Sequence, residues 1–306
     1  MKKEMQGNLM LLITALIWGS AFVAQSAGME YVGPFTYTMA RSFIGFLALI
    51  PVVLWFRKNR RKNNPMTKEE EKGLNLRSIR GGIFCGLALG IASCIQQVGV
   101  SMTTAGKAGF ITALYIIIVP ILGIFLKKRI PGIIWLCIAI ALAGFWLLCI
   151  KDGFSVSTGD LFCLLCAFCF SVHIMVIDHF AAQDTDSVMI SCVQFLVAGL
   201  LSAVLTSVFE TPTWNAIWNA KLTILYAGLL SSGVGYTLQI TAQRYTKPTV
   251  ATLLMSLESV FAALFGGLIL HEVLSFREFL GCVLVFAAVI LAQIPLPAGK
   301  KTAAED

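Results

Sequence analysis

The sequence predicts an all-α integral membrane protein of ten transmembrane helices in two inverted five-helix repeats. Three observations carry that expectation. First, 58% of the 306 residues are apolar, 13% are charged and the mean hydropathy is +0.83. A soluble domain carries about 25% charged residues, so this surface is built for lipid. Second, apolar runs occur at residues 8–27, 34–56, 79–101, 108–126, 131–150, 160–178, 187–208, 221–243, 249–270 and 276–294. About 20 such residues cross a hydrocarbon core about 30 Å thick. Third, the order of small and polar residues in one half of the chain returns in the other.

Taken in order, the first run follows Lys2 and Lys3 and precedes Ser26, Ala27 and Gly28. It resembles a secretory signal but is longer than the usual apolar stretch of about 7–15 residues, and nine runs follow it. It is expected to be a retained first helix. The second run holds Arg41, and the segment after it, 57–80, carries nine lysines and arginines. Gly82, Gly86 and Gly90 lay a smooth stripe along the third run, where another helix can approach closely. Pro120 removes a backbone bond from the fourth run and is expected to kink it. The sixth run carries Cys163, Cys166 and Cys169 at a spacing of three, then His173, Asp178 and His179 near its end. Gly228, Ser231, Ser232, Gly233 and Gly235 make the eighth run similarly permissive, and Glu258 lies about ten residues into the ninth.

Positive residues in short loops stay on the cytoplasmic side. With ten alternating spans, eighteen of the 23 lysines and arginines fall on the side of segment 57–80. Lys107, Lys151, Lys221 and Arg277 fall on the other, and Arg41 lies within a span. Both termini are therefore expected in the cytoplasm, in a multi-pass protein of the cell membrane. The net charge of +7 is a topology signal that can also meet anionic lipid. It lacks the aromatic interleaving of a nucleic-acid surface.

Gly7-Asn8-Leu9 with Ala15 recurs as Gly159-Asp160-Leu161 with Ala167. Gly90 and Gly233, Gln96 and Gln239, Thr104 and Lys247, and Tyr115 and Glu258 each stand 143 positions apart. Residues 7–150 and 159–294 are thus two halves of five spans each, and 295–306 is a cytoplasmic tail. An odd number of spans forces the second half to enter the membrane in the opposite sense. Many secondary transporters use such inverted repeats and hold substrate between them near the midplane.

Trp18-Gly19-Ser20-Ala21-Phe22, Arg41, Thr103-Thr104-Ala105-Gly106, Leu257-Glu258-Ser259-Val260-Phe261 and His271-Glu272 resemble, in that order, EamA-type members of the drug/metabolite transporter superfamily. The resemblance covers residues 7–293. It implies a ten-helix, two-repeat carrier of small metabolites in the cytoplasmic membrane, commonly an exporter of amino acids or similar compounds. The chain departs from the family in two places: Lys128 and Arg129 stand near a position that is often glutamate, and Glu258 stands where many members carry proline.

An ionisable group at the centre of a membrane helix costs at least about 2.5–3.5 kcal/mol, so it needs a partner or a task. Glu258 is a candidate proton carrier or a partner for a substrate amine. The alternative is a helix-pinning glutamate. Arg41 is expected to bond to backbone or a neighbouring helix, to hold an anionic substrate group, or to pair with Glu258. Gln25, Gln96, Gln97, Gln194, Gln239 and Gln243 cannot be satisfied by lipid and should face the bundle interior. Trp18, Tyr115 and Tyr236 are candidate pocket walls, or packing residues. The expected binding set is Trp18, Gln96, Gln97, Tyr115, Tyr236, Gln239 and Glu258, with Arg41 and Glu258 for coupling or charge pairing.

No catalytic, metal or cofactor site is expected. His271-Glu272 would open a metalloprotease motif only with histidine at 275, which is Ser275, and no Walker loop occurs. The nine cysteines lie in apolar runs and read as reduced small hydrophobes. For His173, Asp178 and His179, solvation of a helix end is the simpler reading and a proton relay the sharper one. The expected partners are a small-molecule substrate, membrane lipid and, as coupling ion, protons; the protein would be a monomer or homodimer. The alternative function is a membrane-embedded enzyme acting on an amphipathic or lipid-linked substrate.

Overall fold

A computed structural model describes residues 2–63, 65–103, 105–128, 130–149, 157–270 and 275–293. Thr104, Arg129, Lys151, His271, Glu272, Lys300, Lys301 and the tail from 295 lie outside the described residues. Among those described the chain is helical throughout and contains no strand. The helices are α1 (Lys2–Gly28), α2 (Pro34–Asn63), α3 (Lys68–Met102), α4 (Ala105–Thr112), α5 (Tyr115–Phe125), α6 (Gly132–Cys149), α7 (Thr158–Ala181) and α8 (Ser187–Phe209). Then come α9 (Trp214–Asn219), α10 (Lys221–Tyr226), a π-helical stretch (Ala227–Gly235), α11 (Tyr236–Ala242), α12 (Pro248–Met255), α13 (Leu257–Leu270) and α14 (Phe276–Gln293).

Seven helical stretches are long and apolar enough to cross a membrane: α1, α2, α3, α4 with α5, α7, α8, and residues 248–266 of α12 and α13. Gly132–Leu147 and Phe279–Ala292 are shorter apolar helices, and α10, the π stretch and α11 make one further rod. Lipid cannot satisfy backbone amides, which is why apolar runs of this length close their bonds within helices.

Side-chain ties give the bundle two distinct ends. At one, Arg57 and Arg61 bind Glu71, Arg60 binds Asp186 at 2.6 Å, Arg77 binds Asp184 at 2.9 Å, and Lys128 binds Asp178. At the opposite end Lys107 binds Asp160 at 2.7 Å, and Glu210, closing α8, accepts the Phe35 and Thr36 amides at the start of α2. The carboxylate thus satisfies amides that a helix start leaves without partners. Segment 57–80, expected as a loop, is mostly helix. Helix α2 runs on to Asn63, and α3 begins at Lys68, where Thr67 and Glu70 cap it in a reciprocal box.

The small-residue stripe of α3 lies against α8. A methyl group at Gly86 would stand 2.7 Å from Val197 Cβ, and one at Gly90 would stand 2.9 Å from Leu201 Cδ2. Side chains there would drive the two helices apart.

Among the described residues, regular α-helical bonding is broken in the fourth, eighth and ninth runs. In the fourth the interruption falls at Ala113–Leu114, six or seven residues before Pro120, and α5 continues through the proline. Leu114, Ile116 and Ile117 donate to carbonyls three residues back, a tightened turn that ends α4 and restarts the chain as α5. The ninth run is interrupted at Ser256, where Ser259 N also reaches back three residues and Ser256 Oγ takes the Leu253 carbonyl. The eighth widens into π-helix. There Thr14 donates to the Gly235 carbonyl at 3.2 Å, Thr237 to that of Gly233 at 2.6 Å, and Trp18 lies 3.5 Å from that of Ser231. Side chains supply the bonds that a regular helix would have kept internal.

Candidate functional site

The two interruptions meet inside the bundle. Tyr115 is the first residue of α5 and Glu258 the second of α13, so each side chain leaves the backbone just past a tightened turn. The Tyr115 hydroxyl donates to Glu258 Oε1 at 2.9 Å. Ser259 Oγ donates to the Gly109 carbonyl at 3.0 Å, tying the same two runs a second time. The interruptions at 113 and 256 stand 143 positions apart, as do the bonded residues.

Around this pair lies a small chamber of about 30 Å³, lined by Trp18, Phe22, Gln25, Arg41, Gln96, Thr112, Tyr115, Phe170, Ser231, Tyr236 and Glu258. A void of that size holds one or two waters. Glu258 lies ten residues beyond Pro248, and Arg41 seven beyond Pro34. At 1.5 Å per residue the chamber is therefore about 15 Å from the basic end and about 10 Å from the other. Gln96 Nε2 approaches Thr112 Oγ1 at 3.4 Å, and the rings of Trp18 and Tyr236 pack at 4.6 Å.

Arg41 is 4% exposed, and its one hydrogen bond among the described residues is to Gln25 Oε1 at 3.3 Å. It and Glu258 share the chamber without forming an ion pair. A buried guanidinium with five N–H donors and a single neutral acceptor leaves most of its charge uncompensated. The arrangement can accept an anionic group at Arg41 and a hydrogen-bond donor at Glu258, against apolar walls.

The structure thus brings Trp18, Gln96, Tyr115, Tyr236, Arg41 and Glu258 together. It does not bring in Gln97 or Gln239, both buried but absent from the lining. Neither amide atom of Gln97 has a partner among the described residues, nor does Gln239 Oε1. One residue from Gln96 is about 100° round the helix, which turns Gln97 away. Thr112 and Phe170 were missed from the sequence: a lone threonine or phenylalanine in an apolar run carries no signal until its neighbours are known. His173 corrects the helix-end reading. It is fully buried about two-thirds of the way along α7, with Nε2 3.2 Å from Gln194 Oε1 and its ring beside Tyr236. Asp178 instead holds Lys128, and His179 meets Gln183, so the three make no relay.

A second, larger cavity of about 500 Å³ opens at the basic end. Val119, Lys128, Met175, Asp178, Gln243, Arg244, Lys247 and Thr249 are among its lining residues.

The sequence profile of the EamA-like transporter family matches residues 5–150 and again 157–293. The chain belongs to this family. It is 30% identical over 298 residues to an uncharacterized transporter of Archaeoglobus fulgidus, covering 95% of this chain and 87% of that one. It is 22% identical to the uncharacterized transporter YoaV of Bacillus subtilis, covering 92% and 94%. A solved structure superimposes with a TM-score of 0.73 at 18% identity, covering 94% of this chain and 96% of that one; the likeness speaks to the fold. Family membership and the apolar helices make this a multi-pass membrane protein of a transporter family.

Proposed function

We propose that the protein is a secondary transporter moving a small metabolite, an amino acid or related compound, outward across the cytoplasmic membrane by alternating access. In this reading the two shorter apolar helices and the π-interrupted rod also cross, giving ten spans. Residues 7–150 and 159–294 form two inverted repeats, and both termini are cytoplasmic. The Tyr115–Glu258 bond carries the reading: it joins two helix interruptions at equivalent positions of the two halves, beside a deep polar chamber. Broken helices at a repeat interface are where irregular backbone is tolerated in a membrane, because it faces a cavity. The chamber is narrow and the basic-end cavity wide, which supports a state open toward that end. Glu258 serves as proton carrier.

Vesicles reconstituted with the protein and loaded with a metabolite mixture test this. Solutes should leave unchanged, faster under a proton gradient, and Glu258→Gln should abolish the proton-linked part while the protein stays folded. Transport that keeps its pH dependence in Glu258→Gln would remove Glu258 from the mechanism. Conversion of a solute into a new product would replace the carrier by an enzyme.

A further inference from the structure

At the basic end, Arg57, Arg60, Arg61, Arg77 and Lys128 each rest on a carboxylate. Arg244 and Lys247 do not. Arg244 donates to the carbonyl and hydroxyl oxygens of Thr185, both neutral, and the Lys247 ammonium has no partner among the described residues. A charge that serves topology alone can lie anywhere on this face. These two come from the short link between α11 and α12 and turn, with Lys128, onto one 500 Å³ cavity whose single acid among the described residues is Asp178. Lys247 precedes α12 without capping it, and Pro248 has no amide to give. The Thr249 amide therefore starts the helix without an intrahelical acceptor, and it adds partial positive charge where Thr249 lines the same space. Low-dielectric walls strengthen a field of one sign within such a cavity.

This cavity stands over the chamber on shared elements. Val119 lines the one and Tyr115 the other from α5; Met175 and Phe170 do so from α7. Tyr236 opens α11 and Gln243 caps its other end, and Thr249 and Glu258 belong to the ninth run. Nine residues separate the last pair, about 14 Å along a helix. Across the chamber waits Arg41, a buried cation with no carboxylate.

The geometry points to a small organic anion with an apolar body as the transported solute, first captured in the basic-end cavity by Arg244 and Lys247 and then handed to Arg41. The capture site is new to the reading above and rests on it for the onward step. The shared chemistry is a carboxylate or phosphate group, free on a solute or borne by a phospholipid headgroup.

The test uses the full chain in neutral detergent, titrated with benzoate, inorganic phosphate and, as control, benzylammonium, while melting temperature and tryptophan fluorescence are read. At least one anion should raise the melting temperature saturably, and benzylammonium should not. Lys247→Glu should weaken that binding about tenfold, whereas Lys62→Glu, exposed on the same face, should leave it unchanged. The proposal is overturned by any of three results: no saturable anion effect, equal weakening by both variants, or saturation only with anionic phospholipid in mixed micelles. Vesicles that move no solute while Lys247→Glu still loses anion binding would sink the transporter reading and leave the capture site standing. Flux with anion binding indifferent to Lys247→Glu would do the reverse.

Discussion

The central chamber and the basic-end cavity are built from opposite materials. The chamber is tiny and walled by side chains fixed on packed helices, with Tyr115 bonded to Glu258 and the Trp18 ring tilted against that of Tyr236. The basic-end cavity is more than tenfold larger and edged by long, partly exposed lysines and an arginine. Rigid, desolvated groups discriminate between ligands, whereas flexible charges in water attract many and hold none tightly. Under the proposed function, this difference puts recognition in the middle of the bundle and capture at its mouth.

Substitutions should therefore cost most in the chamber. Arg41→Gln is expected to slow flux at subsaturating solute by at least about 30-fold, equivalent to about 2 kcal/mol of lost charge-assisted binding. Vesicle assays on a protein with an unchanged melting profile would measure it; flux at the wild-type rate would reduce Arg41 to a packing residue. Next comes Tyr115→Phe. It leaves a buried Glu258 oxygen without its donor, a loss of about 1–3 kcal/mol, so it should lower the melting temperature, and it should slow flux several-fold less than Arg41→Gln does. An equal or larger loss would mean that the tyrosine, and not the arginine, organises the chamber.

Effects at the mouth should be smaller. Lys128→Ala removes an exposed ion pair with Asp178, so stability should fall by no more than about 1 kcal/mol. Thermal melts at low and high salt give the check: the difference from wild type should shrink as salt screens the pair. A salt-independent loss of several kcal/mol would show that this contact is part of the rigid framework, and the contrast between the two cavities would weaken.

The apolar runs were legible because lipid leaves the backbone one economical solution, and length and hydropathy report it directly. The stripe at Gly82, Gly86 and Gly90 announced a close helix contact for the same kind of reason, since a missing side chain is visible in the letters. Arg41 and Glu258 stood out as charges that a membrane tolerates only in company. Gln97 and Gln239 looked equivalent to Gln96, yet only Gln96 reaches the chamber, because the rotation of each helix depends on the neighbours it packs against. Pro120 signalled a break in the right run but at the wrong residue. Ser256 signalled nothing, since a tightened turn needs no special letter once packing holds it.

Composition and periodicity settle where chain must become helix, because that choice is made residue by residue against solvent. Which side chains converge depends on how the helices tilt and turn about one another. The 143-residue echo of Tyr115 and Glu258 was present in the letters, but their 2.9 Å bond exists only because two interrupted helices cross at their interruptions, a long-range fact that no local preference encodes.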